Sequence, residues 1–206
     1  MARLVIETAT AACSVALIEE GDLIAQGHDV VGRGHAERLL PMIAALPGGG
    51  RAKAILVDCG PGSFTGVRVG IAAARALGLG WGVPVAGFSS LALIAVAAFA
   101  ADPTLDRLTV AIPGGHGEYF VQSFSARPFA ARSDLASLPP ADAARVAGTD
   151  PVAGPGAEAI VAMRGSGSAL PGFPAARDAV LLDHAFAALP ASPIYGRAPD
   201  AKPAAA

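Results

Sequence analysis

The sequence predicts an α/β fold, organised as one domain or as two small lobes of strands flanked by helices. An apolar run at residues 54–57 leads through a glycine-rich turn into a segment with helical periodicity at 67–79. Short β-branched runs open the chain, and a similar two-strand pattern begins again after residue 103. The chain has 206 residues, enough to bury a hydrophobic core without a disulfide or a metal.

The chain is predicted to open with an antiparallel meander. Apolar runs at residues 4–6 and 14–18 are joined by a turn of small residues. Gly21 and Asp22 then permit a second hairpin into residues 23–25.

A helix is expected between His35 and Leu46, because apolar side chains in this stretch recur at the spacing of one helical face. Pro41 removes one backbone donor, so we expect either a kink there or a helix that starts late. Glycines at 48–50 end the helix before the strand at 54–57.

A strand is predicted at residues 84–88 and a helix at 90–101, capped by Ser89 or Ser90. Residues 102–104 break the pattern, and we place a lobe boundary there, between residues 1–102 and 103–206.

The second half restarts with two predicted strands, at 108–112 and 119–124, across a turn at 113–115. Helices are expected at 141–146 and 175–189, whereas residues 157–163 give no clear preference. The tail from residue 198 has no apolar face to bury and is expected to be mobile.

The glycine-rich turn at residues 60–66 could bind phosphate through its amides. It lacks the Lys-Ser or Lys-Thr of a P-loop and the Gly-x-Gly-x-x-Gly spacing of dinucleotide folds. We therefore favour a structural role over an anion contact, with Gly60 and Gly62 in a tight turn and Ser63 or Thr65 as the helix cap.

One stripe of the helix after this turn carries almost no side chains, because small residues recur every four positions at Gly66, Gly70, Ala74 and Gly78. Each interior glycine costs about 1 kcal/mol relative to alanine, so a close neighbour should compensate. That neighbour is either the chain's own sheet or a helix of a second subunit. A membrane contact is disfavoured because Arg68 and Arg75 lie on the same helix.

Composition narrows the class of protein further. The formal net charge of −2 argues against a polyanion-binding surface over the whole molecule, although a local basic patch is compatible with it. Residues 76–101 carry no charge, but glycines and Pro84 interrupt them, so we predict no membrane span. Glu7 interrupts the apolar N-terminal run, Glu19 and Glu20 close it, and no cleavage site follows, so no signal peptide is predicted. Cys13 and Cys59 are predicted core thiols of a cytoplasmic protein.

Catalytic chemistry has little support in the sequence. The four histidines form neither a His-x-x-x-His nor a His-Glu-x-x-His pattern, so no metal and no cofactor is predicted. Ser63 and Ser90 lie outside any Gly-x-Ser-x-Gly elbow. Glu7 ends the first strand, where a carboxylate could hold a metal-nucleotide, but a solvated or hydrogen-bonded strand end is the commoner role.

The stretch from Gly60 to Gly70, followed by Pro84-Val85 and Ser89-Ser90-Leu91, resembles the signature of the bacterial TsaB (YeaZ-type) family. Further matching segments stand in the same order along nearly the whole chain, at residues 7–10, 14–17, 35–41, 117–119 and 193–199. Three departures stand out: Glu7 replaces the usual aspartate, residues 112–116 replace an Asp-Ala-Arg stretch, and the linker at 47–51 is short.

The resemblance implies an actin-like ATPase (RNase H-like) fold of two related lobes, each with a mixed sheet flanked by helices. It also implies a non-catalytic subunit that binds and stabilises a TsaD-type transferase during synthesis of N6-threonylcarbamoyladenosine at position 37 of tRNA. A TsaE-type ATPase is the further implied partner, the isolated chain is expected to form a homodimer, and tRNA is contacted only through the complex.

The resemblance and the stripe of small residues together predict a partner surface on the helix that begins near His35 and on the helix after the glycine turn. Its predicted residues are His35, Leu39, Leu40, Met42, Ile43, Phe64, Gly66, Val67, Arg68, Gly70, Ile71, Ala74, Arg75 and Gly78. Glu7 and Thr8 are predicted as vestigial nucleotide contacts, and no catalytic residue is predicted. The alternative is an ATP-dependent small-molecule kinase of the actin-like fold in which Glu7 holds magnesium; ATP binding and turnover by the isolated chain would favour it.

Overall fold

The first half of the chain forms a five-stranded mixed sheet. The computed structural model describes residues 1–197. The strand order is β3-β2-β1-β4-β5, with β1 to β3 antiparallel and β4 and β5 added in parallel. The predicted meander and the later strands are confirmed: β1 (Ala2–Glu7), β2 (Ala12–Glu19), β3 (Asp22–Val30), β4 (Ala54–Asp58) and β5 (Val85–Phe88).

The second sheet repeats this arrangement. Its order is β8-β7-β6-β10-β11, so a central strand again has antiparallel neighbours on one side and parallel neighbours on the other. The short strand β9 pairs with β7. The predicted actin-like fold of two related lobes is therefore confirmed. The strands are β6 (Arg107–Pro113), β7 (Tyr119–Ala126), β8 (Phe129–Ala131), β9 (Ala136–Leu138), β10 (Val152–Ala153) and β11 (Ala169–Leu170).

Helices cover both faces of the first sheet. Leu4 and Ile6 of β1 share a buried cluster with residues of α1 and α2, whereas Val5 joins a second cluster with α3. Since both faces are buried, β1 is apolar without alternation. The helices are α1 (His35–Ala44), α2 (Phe64–Trp81), α3 (Ser90–Ala101), α4 (Pro140–Ala147) and α5 (Ala157–Arg164).

The predicted helices agree with these bounds except at two places. Helix α1 begins at His35 and contains Pro41, so the late start does not occur. The helix predicted at 175–189 is wrong: only a 3₁₀ helix, Ala176–Leu181, forms there. Its buried residues, together with the capping Leu182, recur every three positions at Ala176, Ala179 and Leu182, which is the repeat of a 3₁₀ helix and not of an α-helix.

The chain returns to the first sheet after completing the second. The Ala176 amide donates to the Ser14 hydroxyl at 2.9 Å, and the Ile194 amide donates to the Cys59 carbonyl at 2.8 Å. A β-bridge joins Gly87 to Leu189. These contacts hold the segment 175–197 against the first half of the protein. The lobe boundary at residue 102 stays a prediction, and the predicted mobile tail lies outside the described residues.

Within residues 1–197, no helix combines the length and the apolar character that crossing a membrane requires.

The small-residue stripe of α2 faces the chain's own sheet. A Cβ atom on Gly66 would overlap the carbonyl oxygen of Thr8, and one on Gly70 would overlap the Thr8 hydroxyl. A Cβ atom on Gly78 would overlap the side chain of Val85. Ala74, the remaining member of the stripe, is fully buried. The first of the two sequence alternatives, close contact with the chain's own core, therefore accounts for the stripe.

Two glycines of α2 should respond oppositely to alanine. Gly66→Ala would force the helix away from the Thr8 carbonyl, and we expect it to lower the free energy of unfolding by about 1–3 kcal/mol. Gly80 has open space around its Cβ direction, so Gly80→Ala should raise stability by up to about 1 kcal/mol through helix propensity. Urea unfolding of both variants measures the difference. Equal effects of the two substitutions would contradict the close approach.

Candidate functional site

A cleft of about 1000 Å³ opens beside the N-terminal end of α2. One wall comes from the loop after β1 and from the glycine turn, and the facing wall comes from β6, β7 and the turn between them. The returning segment at 193–197 closes one side. Residues from both halves of the chain therefore form one concave surface.

The glycine turn forms a wall of this cleft by clasping the loop after β1. The Ser63 amide donates to the Ala9 carbonyl at 2.6 Å, and the Thr8 hydroxyl donates to the Gly66 carbonyl at 2.8 Å. The Ser63 hydroxyl accepts from the Gly66 amide at 3.2 Å, which is a helix N-cap. The structure thus confirms Ser63 as the cap, and Gly60, with φ 91°, supplies the left-handed turn.

An exposed aromatic and arginine stack stands at the mouth of the cleft. The Arg68 guanidinium carbon lies 3.2 Å from the centroid of the Phe64 ring. Its Nη2 donates to the Tyr195 hydroxyl at 2.9 Å. Phe64 is 63% exposed and Tyr195 is 59% exposed. Large aromatic rings are thus held in place while remaining open to solvent.

The described lining of the cleft carries basic side chains and no carboxylate. Its charged or titratable members are Arg68, His116 and Arg197, besides the Tyr195 hydroxyl. The Arg197 Nη1 donates to the Gly115 carbonyl at 3.2 Å and lies 3.6 Å from the Glu118 carboxylate, which is just outside the lining. In a chain with a net charge of −2, this wall has a locally positive character.

Two carboxylates are fully buried behind the glycine turn, at the ends of the adjacent parallel strands β1 and β4. Asp58 accepts hydrogen bonds through Oδ1 from the Gly60 amide at 2.6 Å and from the Ser90 hydroxyl at 2.7 Å. Glu7 accepts through Oε1 from the Ala9 amide at 2.7 Å. The second oxygen of each carboxylate has no hydrogen-bond partner among the described residues.

Burial is the largest influence on the pKa values of Asp58 and Glu7. It raises the pKa of Asp58 to about 7, against the hydrogen bonds from Gly60 and Ser90, which lower it. Burial, and then repulsion by Asp58, raises the pKa of Glu7 well above its usual range. A proton held on this pair reduces the charge that the core must bury.

The sequence singled out Glu7 and missed Asp58. A signal was present, because Asp58 directly follows the apolar run of β4, and the carboxyl ends of adjacent parallel strands meet at one edge of a sheet. Glu7 and Thr8 are both fully buried, and each uses its side chain in an internal hydrogen bond. Their predicted contact with a nucleotide stays a prediction.

The structure divides the predicted partner residues between core and surface. The His35 ring nitrogen Nε2 lies 2.9 Å from the Thr10 carbonyl and 3.0 Å from the Ala12 carbonyl, so it is the protonated nitrogen and fixes the start of α1. Ten of the fourteen predicted partner residues are buried: His35, Leu39, Met42, Ile43, Gly66, Val67, Gly70, Ile71, Ala74 and Gly78. Leu40, Phe64, Arg68 and Arg75 are exposed.

In the part of the chain that the structure describes, the side chains that can ligate metals do not cluster, and both cysteines are buried. Among residues 1–197, no group of three or more His, Cys, Asp or Glu side chains is placed to hold a metal ion. Cys13 and Cys59 are buried free thiols, as predicted. Burial raises the pKa of Cys13 to about 11 and that of Cys59 to about 12, so both are protonated at neutral pH.

Asp58→Asn should stabilise the protein at alkaline pH. Because the pKa of Asp58 is about 7 in the folded chain and near 4 when unfolded, the wild type loses stability as pH rises through that window. The asparagine side chain would keep the acceptor for Gly60 and Ser90 without the charge. We expect the free energy of unfolding of the variant to exceed that of the wild type by about 1–4 kcal/mol at pH 8, with a much smaller difference at pH 5.

Urea unfolding at both pH values measures this effect. Asp106→Asn is the control: Asp106 is exposed and pairs with Arg127 at the surface, so its replacement should give no comparable gain in stability at pH 8. A constant difference between Asp58→Asn and the wild type at the two pH values would contradict the assignment.

The amino-acid sequence is similar to one protein family model and to several named bacterial proteins. The model of the family described as "TsaD: tRNA N6-adenosine threonylcarbamoyltransferase" matches residues 29–189. A relative from Escherichia coli K12, named tRNA threonylcarbamoyladenosine biosynthesis protein TsaB, is 39% identical over 122 residues, which cover 57% of this chain and 52% of the relative. The protein of the same name from Haemophilus influenzae is 41% identical over 101 residues, covering 47% and 42%. These alignments span about half the length of the curated relatives.

Structural comparison covers more of the molecule. The solved structure described as YeaZ from Pseudomonas aeruginosa is 32% identical, with a TM-score of 0.79 over 94% of this chain and 99% of that chain. The sequence signature, the repeated sheet order and this nearly complete overlap lead to the same conclusion. The chain belongs to the TsaB (YeaZ) family, within the broader group of sequences that the TsaD family model describes.

Proposed function

We propose that the protein is a non-catalytic subunit that binds and stabilises a TsaD-type transferase in the threonylcarbamoylation of adenosine 37 of tRNA. In this proposal a TsaE-type ATPase joins the same complex in the cytoplasm, and the isolated chain pairs with itself through the surface that the transferase would cover.

Overlap with a YeaZ structure over almost its entire length is the observation that carries the proposal. The relatives from E. coli and H. influenzae are named as proteins of tRNA threonylcarbamoyladenosine biosynthesis. A relative from Anaeromyxobacter dehalogenans, named tRNA N6-adenosine threonylcarbamoyltransferase, is 31% identical over 136 residues, which cover 55% of this chain and 41% of the relative. Likeness to both kinds of protein favours pairing between two chains of related fold.

The solvent-facing side of α1 and α2 has the apolar character expected of a partner surface. The two helices share one buried cluster and lie on the same face of the first sheet. Their solvent side leaves large apolar groups open, with Leu40 at 53% exposure and Leu79 at 87%. Exposed alanines, including Ala44, Ala72 and Ala76, would let a partner helix approach closely.

The buried members of the predicted set act beneath this surface. Leu39, Met42 and Ile43 attach α1 to the sheet, and the glycine stripe brings α2 down onto β1. They shape the partner surface without touching the partner. A specific complex on two helices of this length would bury on the order of 1,200–2,000 Å² in total.

Leu40→Asp should weaken both self-association and transferase binding. A carboxylate in the middle of an apolar contact leaves a charge without water, and we expect at least about a tenfold loss of affinity. Size-exclusion chromatography with light scattering, alone and with the TsaD-type subunit, measures both associations.

Met163→Asp is the matched control. Met163 lies on α5 and is 56% exposed, close to the value for Leu40, but it is remote in sequence from α1 and α2. It should leave both associations unchanged. Normal co-elution of Leu40→Asp with the transferase, or an equal loss with both variants, would refute the assignment of the partner surface.

A further inference from the structure

We propose that the mouth of the cleft is a stacking site for unpaired RNA bases, so that this chain itself contacts a single-stranded loop of the tRNA. The choice of tRNA rests on the proposed function, whereas the RNA-binding chemistry rests on the site. The sequence alone predicts contact with tRNA only through the complex.

Exposed rings held by an arginine are the first support. Phe64 and Tyr195 are mostly exposed, although aromatic side chains of this size are usually buried. Arg68 lies over the Phe64 ring and hydrogen-bonds to the Tyr195 hydroxyl, which fixes both rings at the edge of the cleft. Unpaired bases stack on aromatic rings and on guanidinium planes arranged in this way.

The charge of the lining is the second support. Arg68 and Arg197 are the permanent cations of the described lining, which contains no carboxylate. Because Arg197 lies 3.6 Å from the Glu118 carboxylate just outside the lining, Arg68 supplies most of the positive charge. Such a wall attracts the phosphates that flank a stacked base, even though the chain as a whole carries a net charge of −2.

The same lining disfavours a magnesium-bound triphosphate. The two acids nearest the glycine turn, Glu7 and Asp58, are fully buried behind it and do not line the cleft. A metal-bound triphosphate would find no carboxylate among the described lining residues, whereas a base with its single phosphates needs only stacking and cations. The cleft, at about 1000 Å³, is also wide enough for more than one nucleotide.

Fluorescence anisotropy of the full chain tests this site with two labelled probes, an RNA hairpin with a single-stranded loop and a fully paired RNA duplex of equal length. We expect the hairpin to bind more tightly than the duplex. Tyr195→Ala should weaken hairpin binding about five- to hundredfold. Tyr195→Phe keeps the ring but loses the hydrogen bond from Arg68, so it should weaken binding less than Tyr195→Ala does. Arg68→Ala should also weaken binding and lower the steepness of its salt dependence.

Arg51→Ala is the matched control for Arg68→Ala, because Arg51 is an exposed arginine that lies outside both the lining of the cleft and the predicted partner surface. It should bind the hairpin like the wild type. The site is refuted if the hairpin fails to bind, if it binds no more tightly than the duplex, or if Tyr195→Ala has no effect. Displacement of the hairpin by ATP at comparable concentration would also refute it, in favour of a small-nucleotide site.

The outcome is separable from that of the proposed function. Tyr195 lies outside the predicted partner surface, so Tyr195→Ala should bind the transferase normally. Loss of RNA binding with intact transferase binding supports this site, and RNA binding without any transferase binding would refute the proposed function alone.

Discussion

Close contact between the end of β1 and the start of α2 is the constraint on which the rest of the structure depends. The Thr8 hydroxyl and the Ala9 carbonyl hold the glycine turn and the first turn of the helix through short hydrogen bonds. A side chain at Gly62 or Gly66 would occupy the positions of the Ala9 and Thr8 carbonyl oxygens. Helix α2 therefore lies unusually close to the sheet, and its outer side becomes the surface next to α1.

The return of the chain to the first sheet completes the cleft. Without the segment 175–197, Tyr195 and Arg197 would be missing from the wall that α2 begins. Backbone amides and carbonyls of that segment contact the Ser14 hydroxyl and the main chain of Gly87 and Cys59, three positions in the first sheet or directly after it. The position of Tyr195 in the aromatic stack and of Arg197 in the cleft wall thus depends on contacts between the segment 175–197 and the first half of the chain.

The distribution of acids explains how a slightly acidic protein can present a basic cleft. Glu7 and Asp58 lie close to the cleft in sequence and space, yet they are buried behind the turn, where loss of water raises their pKa and favours the neutral forms. The cleft itself exposes Arg68 beside two aromatic rings. Burial of the two acids and exposure of Arg68 both make the charge at the cleft more positive.

The sequence alone determined the strands β1 to β7, most of the helices and the need for glycine in the turn, because these follow from local periodicity and backbone sterics. The strands β8 to β11 were not predicted, since two or three residues are too few to show a periodic pattern. The sequence also carried the family signature, and with it the two-lobed fold. Only the tertiary structure decided that the glycine stripe faces the chain's own sheet, since a bare stripe looks the same whichever neighbour covers it. The pairing of Glu7 with Asp58, the 3₁₀ helix at Ala176–Leu181 and the cleft wall at Tyr195 were likewise decided by residues far apart in the chain, whose contacts no local pattern records.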